Sequence, residues 1–243
     1  MLGIRQPAPK RAREAAEKPF WISFSDLMSA LMVLFLLALT VALLAVTNEI
    51  SETERQKTER DQGILALLAR LRAATEAFPG ISLHGASIDF GERARFDTNS
   101  HKLSAEQANL LRAFAPSLLA MARDPAGEKW LKRVVVEGFA DARGSYLHNL
   151  NLSLQRSERV LCVLLAPPGN AAHNVSNPLS NSERLQVRDL FFVGGASFNA
   201  LKSSAEESRR IELRLEFLDP AERRNSVPQP PLDDDPRCPI DHS

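Results

Sequence analysis

The stretch VEGFADARGSYLHNLNLSLQRSERV, residues 136–160, joins a short apolar segment to an amphipathic one through a polar turn. The first part belongs to RVVVEGF (133–139), which has the composition of a buried strand. The second belongs to HNLNLSLQRSERVLCVLL (148–165), whose apolar residues recur at helical spacing. Between them lie Asp141 and a turn at Gly144. A strand is therefore predicted to pass directly into a helix here.

The segments on either side extend this pattern over residues 81–218. SAEQANLLRAFAPSLLAMAR (104–123) predicts a helix, because Ser104 and Gln107 form a capping-box pair at its start. PPGNAAHNVSNPLSNSE (167–183) has the composition of a loop. The other predicted strands are ISLHGASIDF (81–90), DLFFVGG (189–195) and the strictly alternating RRIELRLEF (209–217). The domain is predicted to be an α+β fold, a β/α sandwich, followed by a Pro-rich acidic tail over 219–243 that is disordered or draped over the domain.

The N-terminal part of the chain predicts a membrane helix over 20–47. Leu27–Val46 contains twenty residues without a formal charge, about the length that a helix needs to cross a bilayer. Basic residues precede it and glutamates follow it, so the N-terminus (1–19) of a single-pass protein is predicted to be cytoplasmic and the rest of the chain to lie across the membrane, which the family resemblance described below implies is the inner membrane, with the rest in the periplasm. The alternative is a cleaved signal peptide, but its apolar region is usually shorter and free of acids.

Residues 48–80 are predicted to form a periplasmic helical linker. Its first half carries charges of both signs at helical spacing, which is typical of a solvated helix. Its second half carries an apolar stripe of Ile64, Leu65, Leu67, Leu68 and Leu71. This stripe is compatible with pairing to a second copy or with packing onto the chain's own domain. The helix is expected to end before Pro79 and Gly80.

Asp26 is an acid at the beginning of the apolar stretch WISFSDLMSALMVLFLLALTVALLAV (21–46). A carboxylate close to hydrocarbon is costly when ionised, so it can alternate between a protonated and a charged form and carry a proton. Moving one charge through 100 mV is worth about 2.3 kcal/mol, which can drive motion of a partner. The alternative is an acid that simply lies at the cytoplasmic interface.

Residues 136–160 resemble the signature of the OmpA/MotB peptidoglycan-binding family, which reads approximately G-H-T-D, a Gly turn, then N-x-x-L-S-x-x-R-A-x-x-V. The matching residues are Gly138, Asp141, Gly144, Asn149, Leu152, Ser153, Arg156 and Val160. SRRIEL (208–213) is similar to the family's terminal N-R-R-V-E-I, and the resemblance covers residues 85–218. Phe139 and Ala140 stand where His and Thr are usual, and Ser208 replaces Asn.

The resemblance implies an OmpA-like domain with a peptidoglycan-binding site at Asp141, Asn149, Leu152, Arg156 and Arg209. The diaminopimelate of a cell-wall stem peptide offers an ammonium and a carboxylate. Asp141 would take the ammonium, and Arg156 would grip the carboxylate as a bidentate fork. Arg209 would be a second cation, and Asn149 would orient the loop. On spacing alone, Asp141 caps a helix or turn and Arg156 covers a surface.

The whole architecture resembles that of a stator B subunit, of which flagellar MotB is the familiar member. Within that family, FSDLMSALMVLFLL (24–37) is most similar to the B subunit of the Zorya anti-phage defence system. The resemblance implies that Asp26 carries the ion. It also implies a homodimer surrounded by a MotA-like multi-helix membrane subunit (ZorA-like in Zorya), five copies around two. The alternatives are a flagellar stator and a structural tether between membrane and wall that conducts no ions.

The sequence offers little other chemistry. The five histidines have no metal-ligand spacing, no phosphate loop follows a strand and no catalytic triad can be assembled, so neither a metal, a cofactor nor an enzymatic activity is expected. The 30 basic residues balance 30 acidic ones, and no nucleic-acid partner is expected. Cys162 and Cys238, the two cysteines, either form a disulfide that staples the tail to the domain or remain apart, with Cys162 buried in its helix.

Overall fold

The computed structural model describes residues 11–167, 177–224, 232 and 238–242. The chain divides into two compact units, Met1–Lys57 and Thr58–Ser243. The helices are α1 (Arg11–Glu76), α2 (Ala105–Arg123), α3 (Pro125–Trp130), α4 (Tyr146–Leu165), α5 (Asn181–Leu190) and α6 (Ala205–Ser208). The strands are β1 (Ser82–His84), β2 (Ser87–Asp89), β3 (Leu131–Gly138), β4 (Phe191–Gly195) and β5 (Ile211–Phe217).

Helix α1 contains the predicted membrane segment in the first unit. In the part of the chain that the structure describes, one helix is long and apolar enough to cross a membrane, and it lies near the N-terminus. Its large apolar side chains from Leu27 to Val46 are exposed on every side, which is the pattern of a helix surrounded by lipid or by other helices. The helix ends at Glu76, before Pro79 and Gly80, as predicted.

The last part of α1 belongs to the second unit. Leu67 and Leu71 are buried in the hydrophobic core of the domain, and the Arg60 Nε donates to the Leu218 carbonyl oxygen at 2.7 Å. Of the two alternatives for the apolar stripe, these leucines therefore pack onto the chain's own domain. The compact unit begins at Thr58, inside the segment predicted as a linker.

The domain is a two-layer sandwich built on one five-stranded sheet, in the order β1-β2-β5-β3-β4. β3 and β4 are parallel, and the other neighbouring pairs are antiparallel. β5 alternates as predicted, because Ile211, Leu213 and Leu215 are buried whereas Arg214 between them is exposed. The buried face packs against the helices in a single core. The predicted α+β class is confirmed.

The predicted capping box of α2 is present, with both the Ser104 and the Gln107 side chains bonded to the other's backbone. Three helices, the short α3 and α6 and the longer α5, were not predicted. α5 begins at Asn181, within the segment 167–183 assigned to a loop, and its N-cap is a second capping box formed by Ser180 and Glu183. The predicted loop was therefore too long at its C-terminal end, and its residues 168–176 lie outside the described residues.

The described end of the tail docks on α4. Cys238 forms a disulfide with Cys162, with the two Cα atoms 5.6 Å apart. Ile240 is buried, and Asp241 forms an ion pair with the buried Arg159. Of the two alternatives for the cysteines, the disulfide is the one found here, and it closes a long loop because 76 positions separate the two residues.

Cys238→Ser is expected to lower the free energy of unfolding by about 3 to 4 kcal/mol, because a crosslink over so long a loop restricts the unfolded chain. Thermal unfolding with and without a reductant would measure this. Reduction should destabilise the natural chain to the level of the variant and leave the variant unchanged. Equal stability of the natural chain and Cys238→Ser under oxidising conditions would contradict the contribution assigned to this bond.

Candidate peptidoglycan site

A cavity of about 250 Å³ lies where β3 ends, α4 begins and the loop before α2 passes. The first residues of α4 and the turn that precedes them form one side. The loop residues Thr98 and Asn99 form another side, and Arg209, just before β5, completes it. The cavity is lined by Thr98, Asn99, Asp141, Arg143, Gly144, His148, Asn149, Leu152, Arg156 and Arg209. The structure thus brings all five sequence-predicted site residues together.

The position of α4 depends on a close approach to β3 at Gly138. A Cβ atom at this position would lie 2.0 Å from the Ser153 carbonyl oxygen, closer than two atoms can come without displacing the backbone. Ser157 on the same side of α4 also lies close to Gly138 and ties the helix to the neighbouring strand β4, since its Oγ donates to the Gly194 carbonyl oxygen at 2.7 Å. The small residues of this interface therefore set the distance between α4 and the sheet, and with it the positions of Asn149, Leu152 and Arg156 in the cavity.

Asp141 lies after the end of β3 and is engaged by two arginines. Its Oδ2 accepts hydrogen bonds from Arg143 Nη2 at 2.6 Å and Nε at 3.2 Å, and from Arg209 Nη1 at 3.0 Å. Its Oδ1 accepts the Arg143 backbone N–H at 3.1 Å. The hydrogen bonds from Arg143, and to a lesser degree that from Arg209, lower the pKa of the Asp141 carboxyl from 3.8 to about 2, although burial opposes them. Asp141 is therefore ionised at neutral pH.

Arg156 is fully buried, with 0% of the residue exposed. Its Nη1 donates to the Phe139 carbonyl oxygen at 2.6 Å, Nε to that of Ser100 at 2.9 Å and Nη2 to that of Asp97 at 3.1 Å. Burial, with a smaller contribution from the positive charge of Arg209, lowers the pKa of Arg156 to about 10. The bidentate grip on a ligand carboxylate predicted for Arg156 is not available in this conformation, because the guanidinium is buried and holds the backbone that forms the walls.

The other predicted residues support the same cavity. The Asn149 Nδ2 donates to the Arg143 carbonyl oxygen at 2.8 Å, which ties α4 to the preceding turn. Leu152 supplies an apolar part of the lining. Arg209 is buried and bridges two elements, since its Nε donates to the Phe96 carbonyl oxygen at 2.9 Å while its Nη1 contacts Asp141.

Five lining residues were not among the predicted site residues: Gly144, which the sequence analysis identified only as the turn of the motif, and four others. Arg143 could have been found, because it is a cation two residues after Asp141 in the same turn. His148 precedes the predicted Asn149, and its ring Nε2 lies 2.8 Å from the Asn99 Oδ1. Thr98 and Asn99 carry no signal in the sequence, since they come from a loop more than forty positions upstream of Asp141 and meet it only in the fold.

The departures from the family pattern lie beside the cavity rather than in its lining. Phe139 is buried and packs under the Arg210 guanidinium, whose carbon lies 4.1 Å from the ring centroid. Ala140 is buried as well. The Ser208 hydroxyl donates to the Ser204 carbonyl oxygen at 2.8 Å and so closes the short helix α6. These three side chains are therefore part of the domain's packing.

Asp26, predicted to carry the ion, lies on α1 in the other unit. The hydroxyl groups of the same helix are bonded to the helix itself, because the Ser29 Oγ donates to the Ser25 carbonyl oxygen and the Thr40 Oγ1 to that of Leu37, each at 2.8 Å. Asp26 differs from these hydroxyl residues in carrying a carboxyl group, whose ionised form has no hydrogen to donate to a carbonyl oxygen one turn away.

Asp141→Asn is expected to lower the free energy of unfolding at pH 7 by about 1 to 2 kcal/mol, a range that allows for the exposure of Arg143. Because the pKa of Asp141 is lowered in the fold, its contribution is complete above pH 3.8 and is lost as the pH falls through about 2. The difference between variant and natural chain should therefore shrink over that interval. Urea unfolding followed by tryptophan fluorescence would measure it, with the exposed Asp219→Asn as the control. A difference that does not depend on pH would contradict the charge-based explanation.

Comparison with known proteins gives one full-length relative. The chain is 42% identical over 238 residues to the Zorya protein ZorB of Escherichia coli O139:H28 (strain E24377A / ETEC), and the match covers 96% of this chain and 95% of the relative. No family model matches the chain.

Solved structures with a similar domain are more distant in sequence. The periplasmic domain of MotB (residues 64-256) is 12% identical, with a TM-score of 0.37 over 58% of this chain and 69% of that one. The cell wall anchor of the T6SS from Pseudomonas aeruginosa is 22% identical, with a TM-score of 0.37 over 63% and 97% of the two chains. The OmpA-like domain of FopA1 from Francisella tularensis is 14% identical, with a TM-score of 0.34 over 57% and 82%.

The match to the relative from E. coli runs through both units, from the apolar helix to the domain that holds the cavity, at an identity well above that of the structural neighbours. The chain therefore belongs to the ZorB family of Zorya proteins.

Proposed function

We propose that the chain is the peptidoglycan-anchored stator subunit of a proton-driven inner-membrane motor in Zorya anti-phage defence, with Asp26 carrying the ion. The N-terminus lies in the cytoplasm, α1 crosses the membrane once and the second unit lies in the periplasm. The observation that carries this proposal is that a lone acid in an apolar helix and a charged cavity in an α+β domain occur in one chain of the ZorB family.

The wall anchor rests on the cavity. Five residues expected from the OmpA/MotB resemblance line it together, although they come from the strand end, from α4 and from the residue before β5. Its charged and amide groups lie beside an apolar residue, Leu152, which suits a peptide with both charged ends and methylene groups. In this proposal Asp141 and Arg209 form a fixed ion pair, and Arg156 holds the surrounding loops in place.

The ion-carrying role rests on the position of Asp26. No formal charge follows it until Glu49, so it is the one titratable carboxylate in the membrane-crossing part of α1. A carboxylate there is costly unless it is protonated or paired, and such residues mark ion pathways in membrane proteins. The preceding basic residues and the following glutamates support the assigned orientation.

The proposal requires partners for α1. A single helix with one carboxylate cannot enclose a path for protons, so other helices must supply the walls. We assign these to a ZorA-like, MotA-like multi-helix subunit, with five copies around two copies of this chain. The apolar surface of α1 between Leu27 and Val46, which is exposed on all sides, leaves room for contacts with both a second copy and this ring.

The ZorB relationship favours the defence role over a flagellar one. A passive tether between membrane and wall would need an apolar helix and a wall-binding domain, but it would have no use for an acid in the helix. Asp26 is thus the residue that distinguishes a motor from a tether.

Asp141→Ala and Arg156→Ala are each expected to weaken the binding of the full-length chain to purified peptidoglycan by about tenfold, as expected for the loss of hydrogen bonds to a charged group. The first leaves Arg209 without its carboxylate, and the second releases the loops at Asp97 and Ser100. Co-sedimentation would measure the binding. Arg214→Ala, on the exposed face of β5, is the control and should bind normally. Normal binding by both cavity variants would place the wall site elsewhere.

Asp26→Asn is expected to preserve membrane insertion and assembly with the partner subunit but to abolish phage protection, because the helix keeps its shape and loses its titratable group. Ser29→Ala, one turn away on the same helix, is the control and should protect cells normally. Plating efficiency of phage on cells that carry each variant, with immunoblots for chain level, would measure this. Full protection by Asp26→Asn would favour the passive tether.

A further inference from the structure

The docked segment of the tail, residues 238–242, follows one side of α4. The disulfide attaches it at Cys162, and Asp241 pairs with Arg159, one turn closer to the start of that helix. Arg156 lies one further turn in the same direction. Because residues three apart are neighbours on a helix surface, the docked segment leads from its covalent attachment toward the buried guanidinium that holds the walls of the cavity.

The loop wall of the cavity, residues 97–101, adjoins the same part of α4. Arg156 donates to two carbonyl oxygens of this loop, and two lining residues of the cavity belong to it. At its end, burial and the charge of Arg159 lower the pKa of His101, whereas Asp241 raises it. Both charges therefore lie close to this ring, and the docked segment meets α4 beside a wall of the cavity.

Arg159 depends on the docked segment because it is a buried cation, with 6% of the residue exposed. Its Nη2 donates to the Asp241 carboxylate, and among the described residues no other carboxylate pairs with it. Its Nε makes no hydrogen bond in the part of the chain that the structure describes. A buried cation without a counter-charge is costly and takes up other acceptors. Without Asp241, Arg159 would compete with Arg156 for the carbonyl oxygens of the loop.

We propose that the docked segment is part of the wall-binding machinery, and that Asp241 is a positioning residue which, by pairing with Arg159, leaves the loop at 97–101 to Arg156. The disulfide keeps Asp241 within reach of its partner. This inference rests on the proposed wall-binding function and extends it beyond residues 85–218, which carry the family resemblance. Full binding then depends on a bond that forms in an oxidising compartment.

The test uses the full-length oxidised chain in detergent and purified peptidoglycan. Asp241→Ala removes the carboxylate and leaves the disulfide in place. In co-sedimentation it should bind about fivefold more weakly than the natural chain, as expected for the loss of a partly buried ion pair that supports the site indirectly.

Hydrogen exchange followed by mass spectrometry reports on the loop itself. The Ser100 and Lys102 amides are hydrogen-bonded within it, to the Asp97 carbonyl oxygen and the Ser100 Oγ. In Asp241→Ala they should exchange about fivefold faster, because the loop opens more often, while the amides of β5 keep their natural rates. A general loss of stability would instead raise exchange in β5 as well.

Two variants serve as controls. Asp241→Glu keeps the charge and should bind and exchange like the natural chain. Glu222→Ala breaks an ion pair with Lys132 at the start of β3, whereas the cavity lies at the end of that strand, and it should change neither measurement. Thermal unfolding verifies that each variant is folded at the temperature of the assay.

Reduction tests the covalent part of the proposal. Dithiothreitol supplies two electrons and two protons, which convert the disulfide into two thiols, and is itself oxidised to a cyclic disulfide. At a temperature where the reduced chain stays folded, the natural chain should bind peptidoglycan at least about fivefold more weakly after reduction. Cys238→Ser should bind as weakly as the reduced natural chain, with or without the reagent.

Unchanged binding and exchange in Asp241→Ala would overturn the inference while the wall anchor stands. Faster exchange with unchanged binding would overturn it as well, because the loop would then not limit binding. Equal losses in Asp241→Glu and Asp241→Ala would contradict the role given to the charge pair. If the natural chain itself does not sediment with peptidoglycan, it is the proposed function that fails.

Discussion

The buried guanidinium of Arg156 is the interaction on which the cavity depends. It projects from α4 and donates to carbonyl oxygens of Asp97, Ser100 and Phe139, so it joins one helix to the loop before α2 and to the end of β3. A buried charge is costly unless its donors are satisfied, and the lowered pKa of Arg156 reflects that cost. Because two backbone segments converge on one side chain of α4, the cavity walls cannot move independently of that helix.

This arrangement also explains why Asp141 is needed. With Arg156 fixed in the interior, Arg209 adds a second buried cation that repels it, as its effect on the pKa of Arg156 indicates. Asp141 lies within hydrogen-bonding distance of Arg209 and offsets part of this repulsion. Removing one partner of a buried ion pair generally costs more than the pair contributes. The charged residues of the motif therefore form a structural network that holds the walls of the cavity together.

The sequence predicted features that are local and periodic. The capping box of α2, the alternation of β5 and the break after α1 depend on residues within a few positions of one another. Prediction from the sequence failed where the contact that decides a residue's role is made with residues far away in the sequence. The role of Arg156 depends on carbonyl oxygens contributed by other elements, and Thr98 reaches the cavity from a loop with no pattern of its own. The same holds for Leu67 and Leu71. Their apolar stripe is equally compatible in sequence with a dimer contact and with packing onto the domain, and only the folded structure shows that they lie in the domain core. The start of α5 is different, because its capping box of Ser180 and Glu183 is a local sequence signal from which the helix could have been predicted.

The departures from the family signature become informative once their places are known. A substitution at a lining position would change the chemistry of the cavity, but Phe139 and Ala140 are buried in the domain, and Phe139 is covered by the Arg210 guanidinium. The Phe139 ring under the Arg210 guanidinium and the small Ala140 beside it pack against each other without taking part in the cavity lining. These two side chains therefore belong to the packing of the domain, whereas the turn that follows them contributes to the cavity, which Arg143 lines from the backbone that Asn149 holds.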